Sequence, residues 1–207
     1  MTATALVDPH APLELEGVEP PPVSRPRVLL VGAAFASAAS AMFIFGLLGV
    51  YLNQRALGRL HGGTWLPQAV HIPLTQPNMM MATMLMSSAT ITWMVYAIKA
   101  DDRRHAYLAI GVSMLLAFAF LNQTAYLYSL ISLDVHANQQ SVLIYTVTGA
   151  QLVMMVLAMI FVGLMGFRAL AGEFTSRQYD GIAASAMYWH TAVAMYALLW
   201  YAIYVTK

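Results

Sequence analysis

The sequence predicts an all-α protein, a bundle of five transmembrane helices with the N-terminus in the cytoplasm and the C-terminus outside. Hydrophobic residues form 60% of its 207 residues and charged residues only 9%, whereas about a quarter of the residues in an ordinary soluble domain are charged. The apolar residues are gathered into five uncharged runs, and Lys and Arg are concentrated in alternate connections between these runs. Together these observations are typical of a multi-pass membrane protein.

Residues 1–26 form a segment unlike the rest of the chain. They contain six prolines and four acidic residues, a composition that buries too little apolar surface to fold alone. We therefore predict a disordered, proline-rich cytoplasmic tail over 1–26. If the tail is ordered, a neighbouring subunit is the simplest candidate to hold it in place. The five-span transmembrane domain is predicted to cover 27–207.

Five apolar runs predict the five spans. Each run is long enough to cross a hydrocarbon core of about 30 Å as a helix, and a helix satisfies every backbone group in lipid at this length. The connection between the second and third runs is short and contains Asp101 and Asp102, so these two helices are predicted to be antiparallel neighbours. The connection over 53–76 is the longest. The predicted spans are about 28–52, 79–98, 106–133, 142–167 and 182–204.

The positive charges set the predicted orientation. With the N-terminus inside, seven Lys and Arg fall in inner segments and three in outer segments, as the positive-inside rule requires. The inner residues are Arg25, Arg27, Lys99, Arg103, Arg104, Arg168 and Arg177, and the outer residues are Arg55, Arg59 and Lys207.

The composition excludes several functional classes. Ten Lys and Arg balance nine Asp and Glu, so nothing predicts binding to nucleic acid. The chain has no Cys, which excludes disulfides, iron–sulfur clusters and thiolate metal sites.

The spans contain no carboxylate and one histidine, His190, which alone forms neither a paired metal site nor a proton relay. The methionines of the second span could bind Cu(I), but adaptable apolar packing is the favoured interpretation. We predict no catalytic residue, cofactor or metal in this chain.

Four polar side chains inside the spans are candidate functional residues: Asn122, Gln123, Gln151 and His190. His190 alone could serve as an axial haem ligand, and an ionisable residue in a span is a functional candidate by default. Hydrogen bonding inside the bundle is the favoured role for His190. The three amides lie at similar predicted depths, about 13–15 Å from the outer ends of their helices at about 1.5 Å per residue. We therefore predict hydrogen bonds between helices three and four, in preference to a transport or proton path.

Short motifs in the last two spans and their connection resemble those of a known family. In chain order they are Thr148-Gly149-Ala150-Gln151, Gly172-Glu173-Phe174-Thr175 and Tyr188-Trp189-His190. The chain resembles the short, five-helix form of subunit III of the haem–copper oxidases. In that family the penultimate helix opens with Thr-Gly-Phe-His, the inner loop contains Phe-Thr, and the last helix carries Tyr-Trp-His-Phe-Val-Asp. The resemblance covers most of 28–207, and Met42–Leu47 is similar to a first-helix segment of the family.

The chain departs from the family pattern at buried charged positions. Ser40 stands where the family has a first-helix Glu, and Tyr126 where it has a third-helix Glu. Gln151 and Met154 replace two His of the penultimate helix, and Val193 replaces a last-helix Asp. The retained residues, Tyr188, Trp189 and His190, join the three amides as buried polar or lipid-cleft candidates. A joint loss of charges is coherent because a lone carboxylate in lipid is costly.

The resemblance implies a non-catalytic accessory subunit of a respiratory haem–copper oxidase in the bacterial plasma membrane. Such a subunit would bind no haem or copper, which are expected in partner subunits. It would stabilise the catalytic membrane subunit and hold phospholipid in a cleft. The alternative is a scaffold of this kind recruited to a different membrane enzyme, such as a nitric oxide reductase or a metal-dependent monooxygenase. An independent transporter or membrane-embedded enzyme is a third hypothesis.

Overall fold

A computed structural model describes residues 27–60, 74–131, 139–176 and 178–206. Within these residues the chain is all-helical, and five helices are long and apolar enough to cross a membrane, which confirms the predicted all-α fold with five spans. The orientation of the termini stays a prediction. They are α1 (Val28–Leu60), α2 (Thr75–Lys99), α3 (Arg103–Ile131), α4 (Gln139–Leu170) and α5 (Asp180–Leu199), and α5 continues into a terminal π-helix (Trp200–Val205). The predicted tail over 1–26 lies outside the described residues, as do three cations used for the predicted orientation, Arg25, Arg177 and Lys207.

Two helices extend into the connection that was predicted over 53–76. α1 continues to Leu60 through Arg55, and α2 begins at Thr75. Residues 53–60 and 75–76, which were predicted to belong to a loop, are therefore helical. The charge of Arg55 does not end α1 because its side chain is buried and donates a hydrogen bond to the terminal π-helix. The predicted end of the third span, at 133, lies outside the described residues.

α5 is the centre of the bundle. It packs against α1, α2 and α4. In the apolar 18-residue stretch of α5, 61% is buried, whereas in that of α1 only 17% is buried. α1 runs parallel to α5, because Arg27 lies near Asp180 at one end and Arg55 contacts Ala202 at the other. α2 runs antiparallel to α5. α1 is therefore peripheral, with most of its surface left for lipid or for another protein.

A tight turn joins α2 to α3, which pack against each other as predicted for antiparallel neighbours. The Asp102 amide donates to Ala97 O at 2.9 Å and the Asp101 amide to Ile98 O at 3.1 Å. This is the Schellman pattern, in which the residue after the helix C-cap is left-handed. Asp101 takes that position with a φ of 54°. Asp102 also caps α3, because its Oδ1 accepts from the amide of His105 at 3.2 Å.

The side chain of Asp101 ties this turn to the connection between α4 and α5. Its Oδ1 accepts from the backbone N–H of Ser176 at 2.8 Å. α4 ends in a second Schellman turn with Gly172 at a φ of 80°, a conformation that glycine adopts without strain. Together the two connections form one end of the bundle. We name it the inner end, after the side that the positive charges predict to be cytoplasmic.

Protonation of Asp101 is expected to release this contact. The hydrogen bonds from Ser176 lower the pKa of the Asp101 carboxyl below its ordinary value of 3.8. A carboxyl with a lowered folded pKa contributes stability above its unfolded pKa and loses it as the pH falls through the folded pKa. The hydrogen-exchange protection factor of the Ser176 amide should therefore fall as the pH drops below 3.8.

The matched variant is Asp101→Asn, which keeps the left-handed preference but cannot ionise. Its Ser176 amide should be weakly protected at every pH. A wild-type protection factor that stays constant from neutral pH to well below the ordinary carboxyl pKa would contradict this account.

Candidate functional site

The retained motif of α5 lies where α5 meets α1 and α2. Successive residues of a helix are rotated by about 100°, so Tyr188, Trp189 and His190 do not share one face. The hydroxyl of Tyr188 lies 3.0 Å from the Oγ of Ser40 in α1, a hydrogen-bonding distance. The side chains of Trp189 and His190 contact α2 instead. The motif therefore joins the central helix to two neighbours.

Trp189 anchors α5 on α2. It is 0% exposed and is the largest fully buried side chain among the described residues. Its indole N–H donates to Ser87 Oγ at 3.1 Å, and the Ser87 hydroxyl donates in turn to Met84 O at 2.7 Å. The single polar atom of the indole is thus satisfied, which is the usual condition for burying tryptophan.

Both ring nitrogens of the half-buried His190 lie near hydroxyls of α2. Nδ1 is 2.8 Å from Ser88 Oγ, and Nε2 is 3.4 Å from Thr92 Oγ1. The Thr92 hydroxyl donates to Ser88 O at 2.9 Å, so toward the ring it can only accept. For a neutral imidazole, this network places the proton on Nε2 and makes Ser88 the donor to Nδ1. Neutral His190 in this tautomer is a structural partner of α2.

The amides do not make the predicted contacts between helices three and four. Gln151 is buried; its Nε2 donates to Ala192 O of α5 at 2.8 Å, and its Oε1 has no partner within the described part of the chain. Gln123 bonds instead to Thr83 of α2. Asn122, predicted to be buried, is exposed on the bundle surface. The prediction is wrong because equal depth does not determine which face of its helix an amide occupies.

The positions that depart from the family pattern lie mostly against α5. Ser40 hydrogen-bonds to α5 from α1, Gln151 reaches α5 one residue before Val193, and Met154 is buried in the core. Neutral hydrogen bonds and apolar contacts therefore hold these interfaces. Tyr126 is different, because its side chain is exposed.

Sequence reasoning missed the partners of the motif, the hydroxyl side chains of α2. Thr83, Ser87, Ser88 and Thr92 bond to α3 or α5. Their spacing was the available signal, because residues separated by three or four positions lie on the same side of a helix. Hydroxyls repeated at this spacing in an apolar span predict a face that hydrogen-bonds to another helix.

The described residues form no metal centre. No three His, Asp or Glu side chains of 27–60, 74–131, 139–176 and 178–206 are grouped closely enough to hold a metal ion. Met80 and Met84 of α2 are packed in the core. These observations are compatible with a chain that carries no haem or copper, which stays a prediction.

Comparison with known proteins places the chain in a family. A family model described as cytochrome c oxidase subunit III matches residues 27–207. Cytochrome c oxidase subunit 3 of Prototheca wickerhamii is 24% identical over 166 residues, which cover 79% of this chain and 63% of the relative. The Bos taurus protein is 27% identical over 145 residues, which cover 69% of this chain and 56% of the relative. The Triticum aestivum protein is 24% identical over 169 residues, which cover 80% of this chain and 64% of the relative.

The chain thus spans less than two thirds of the length of these curated relatives. The family model, however, covers the whole helical bundle and its three motifs. The chain therefore belongs to the cytochrome c oxidase subunit III family.

Proposed function

We propose that this multi-pass membrane protein is a non-catalytic accessory subunit of a respiratory haem–copper oxidase in a bacterial plasma membrane. It stabilises the catalytic membrane subunit, in which haem and copper are expected, and it holds phospholipid. The observation that carries the proposal is the family match over 27–207, and the contacts of the polar motif support it.

The polar side chains of the retained motif hold neighbouring helices together. Tyr188, Trp189 and His190 each pair with a hydroxyl of a neighbouring helix, and Gln151 donates to the backbone of α5. An enzyme or transporter directs polar groups into a shared cavity instead. This arrangement supports a scaffold role over independent activity.

The surface of the bundle also suits an assembly role. α1 is largely uncovered, and its exposed side chains include Phe35, Met42 and Phe43, each more than 60% exposed. A partner subunit can pack on this helix without disturbing the core. Recruitment to a nitric oxide reductase or a monooxygenase is not favoured, because the relatives found by comparison are named as cytochrome c oxidase subunits.

Purification of the tagged chain from its native membrane tests the proposal. We expect a haem-bearing catalytic subunit to co-purify in a fixed ratio, identified by mass spectrometry and by the haem absorbance of the sample. A preparation in which no haem-bearing chain accompanies the protein, under detergent conditions that keep the oxidase intact, would overturn the proposal.

Replacement of His190 by Ala is expected to weaken assembly while leaving the haem spectrum unchanged. The variant loses hydrogen bonds to α2 that each contribute about 0.6 kcal/mol in a typical membrane bundle, so the yield of complete complex should fall and the haem absorbance per catalytic subunit should not. Ser88→Ala, which removes one of the two partners, is the matched control and should have a smaller effect. A lost haem signal in a fully assembled His190→Ala complex would show that His190 is a ligand.

A further inference from the structure

A groove between α2 and α5 opens on the inner half of the bundle. Three of the six α5 residues that line it are alanines, and its α2 wall ends at a lysine. The lining residues include Thr92, Tyr96, Lys99, Ala183, Ala194 and His190. The small side chains of α5 leave the groove open, and Lys99 lies at its mouth.

We propose that this groove binds one phospholipid with an anionic headgroup. The phosphate lies at Lys99, and an acyl chain follows the alanine wall toward His190. The assignment deepens, and rests on, the lipid-holding part of the proposed function, since it names the lipid class and its place.

Lys99, at the mouth of the groove, is a cation available to bind a phosphate. Lys99 is exposed in the last turn of α2, and its Nζ lies 4.8 Å from the ring centroid of Tyr179 and 5.9 Å from that of Tyr96. Within the described residues it forms no ion pair, and the nearby Asp180 is paired with Arg27 at 3.8 Å. A lysine flanked by tyrosines at a helix end matches the headgroup level of a membrane.

The length of the groove fits a lipid better than a protein helix. From Ala183 to Ala194 it runs about 16 Å along α5 at about 1.5 Å per residue, roughly half of a hydrocarbon core of about 30 Å. That is the depth of one leaflet. Toward the opposite end of the bundle, side-chain contacts join α2 to α5 and its π-helical continuation. Tyr196 donates to Pro77 O at 3.3 Å, and Trp200 donates to Asn78 Oδ1 at 2.9 Å. A transmembrane helix of a partner would need an open face through both leaflets.

The floor of the groove is apolar although it contains hydroxyl residues. Thr92 donates to Ser88 O and Thr191 to Met187 O, each at 2.9 Å. Both hydroxyl hydrogens are thus turned back onto their own helices. The ring nitrogens of His190 are engaged by α2. A hydrocarbon chain can therefore lie on this floor without leaving a donor unsatisfied, whereas a polar ligand would find few partners.

Lipid binding by the purified complex tests the assignment. The complex is exchanged into nanodiscs that contain phosphatidylglycerol and phosphatidylcholine in equal amounts, and the lipids retained on the chain are counted by native mass spectrometry. We expect one phosphatidylglycerol to be retained. Lys99→Gln should lower the preference for phosphatidylglycerol over phosphatidylcholine about fivefold, the usual contribution of one lysine at an anionic surface.

Two further variants keep the test decisive. Arg104→Gln removes an exposed cation at the same end of the bundle, on α3 and away from the groove, and should leave the preference unchanged. Ala194→Leu fills the deep end of the groove from an exposed position and should reduce retention of both lipids. Unchanged lipid retention in Lys99→Gln and Ala194→Leu would overturn the assignment.

A photo-crosslinker at Ala194 distinguishes the possible occupants. An adduct with lipid supports the assignment, and an adduct with another protein chain overturns it. Subunit composition is measured in the same sample. A complex that contains the haem-bearing partner but retains no lipid in the groove contradicts only the lipid site. A chain that retains the lipid but has no such partner contradicts the proposed function.

Discussion

Replacement of Trp189 by Ala is expected to lower the free energy of unfolding of the bundle by about 3–5 kcal/mol. The indole is completely buried, so its removal leaves a cavity at the contact between α2 and α5 and removes the hydrogen bond to Ser87. For a chain of this size, 1 kcal/mol corresponds to a shift of about 2–4 °C in the unfolding midpoint. The midpoint of the purified protein in detergent, followed by the loss of its folded size-exclusion peak on heating, should fall by about 6–20 °C.

Two variants separate burial from other effects of the substitution. Trp189→Phe keeps most of the ring but loses the N–H. Because the Ser87 hydroxyl still donates to Met84 O, we expect a loss of only about 1–2 kcal/mol. Trp93→Ala removes a tryptophan that is 40% exposed on α2 and should change the midpoint much less. Equal losses in Trp93→Ala and Trp189→Ala would contradict the role of Trp189 as a buried anchor.

The number and order of the helices could be predicted because the membrane makes both depend on local sequence. Any uncharged run of about 20 residues must form a helix to satisfy its backbone in lipid. The boundaries could not be predicted where a distant contact satisfies a charge. Arg55 was predicted to lie in a loop, yet it is inside α1 because its partner, Ala202, lies 147 residues later in the chain.

The site was predictable in part, for a related reason. The motif Tyr188-Trp189-His190 could be recognised from sequence, but its partners depend on how each helix is rotated about its axis. Depth along a helix follows from counting residues, whereas rotation follows from packing. The three amides illustrate the difference, because Gln151, Gln123 and Asn122 lie at similar predicted depths but face α5, α2 and the outside of the bundle.

Replacement of Arg55 by Met is expected to destabilise the outer end of the bundle by about 2–4 kcal/mol, because hydrogen bonds to charged groups contribute about 1.5–3 kcal/mol. Arg55 is only 5% exposed, and its Nη1 donates to Ala202 O at 3.0 Å and to Thr206 Oγ1 at 2.9 Å. The Arg55 cation also lies at the C-terminal end of the π-helix, where the helix dipole favours a positive charge. Hydrogen exchange should accelerate over residues 200–206, and the unfolding midpoint should fall.

The direction of the change in stability shows whether the buried charge of Arg55 stabilises or destabilises the fold. Arg55 Nε has no hydrogen-bond partner among the described residues, none of which forms an ion pair with the guanidinium. An apolar substitute can stabilise a protein by removing a poorly compensated charge. Arg55→Lys keeps the charge but loses the planar fork of donors, and it should be intermediate. If Arg55→Met proved as stable as the wild type, the guanidinium would make no net contribution to the fold, and the terminal π-helix would owe its stability to packing alone. If Arg55→Met proved more stable than the wild type, the buried charge would be a cost to the fold.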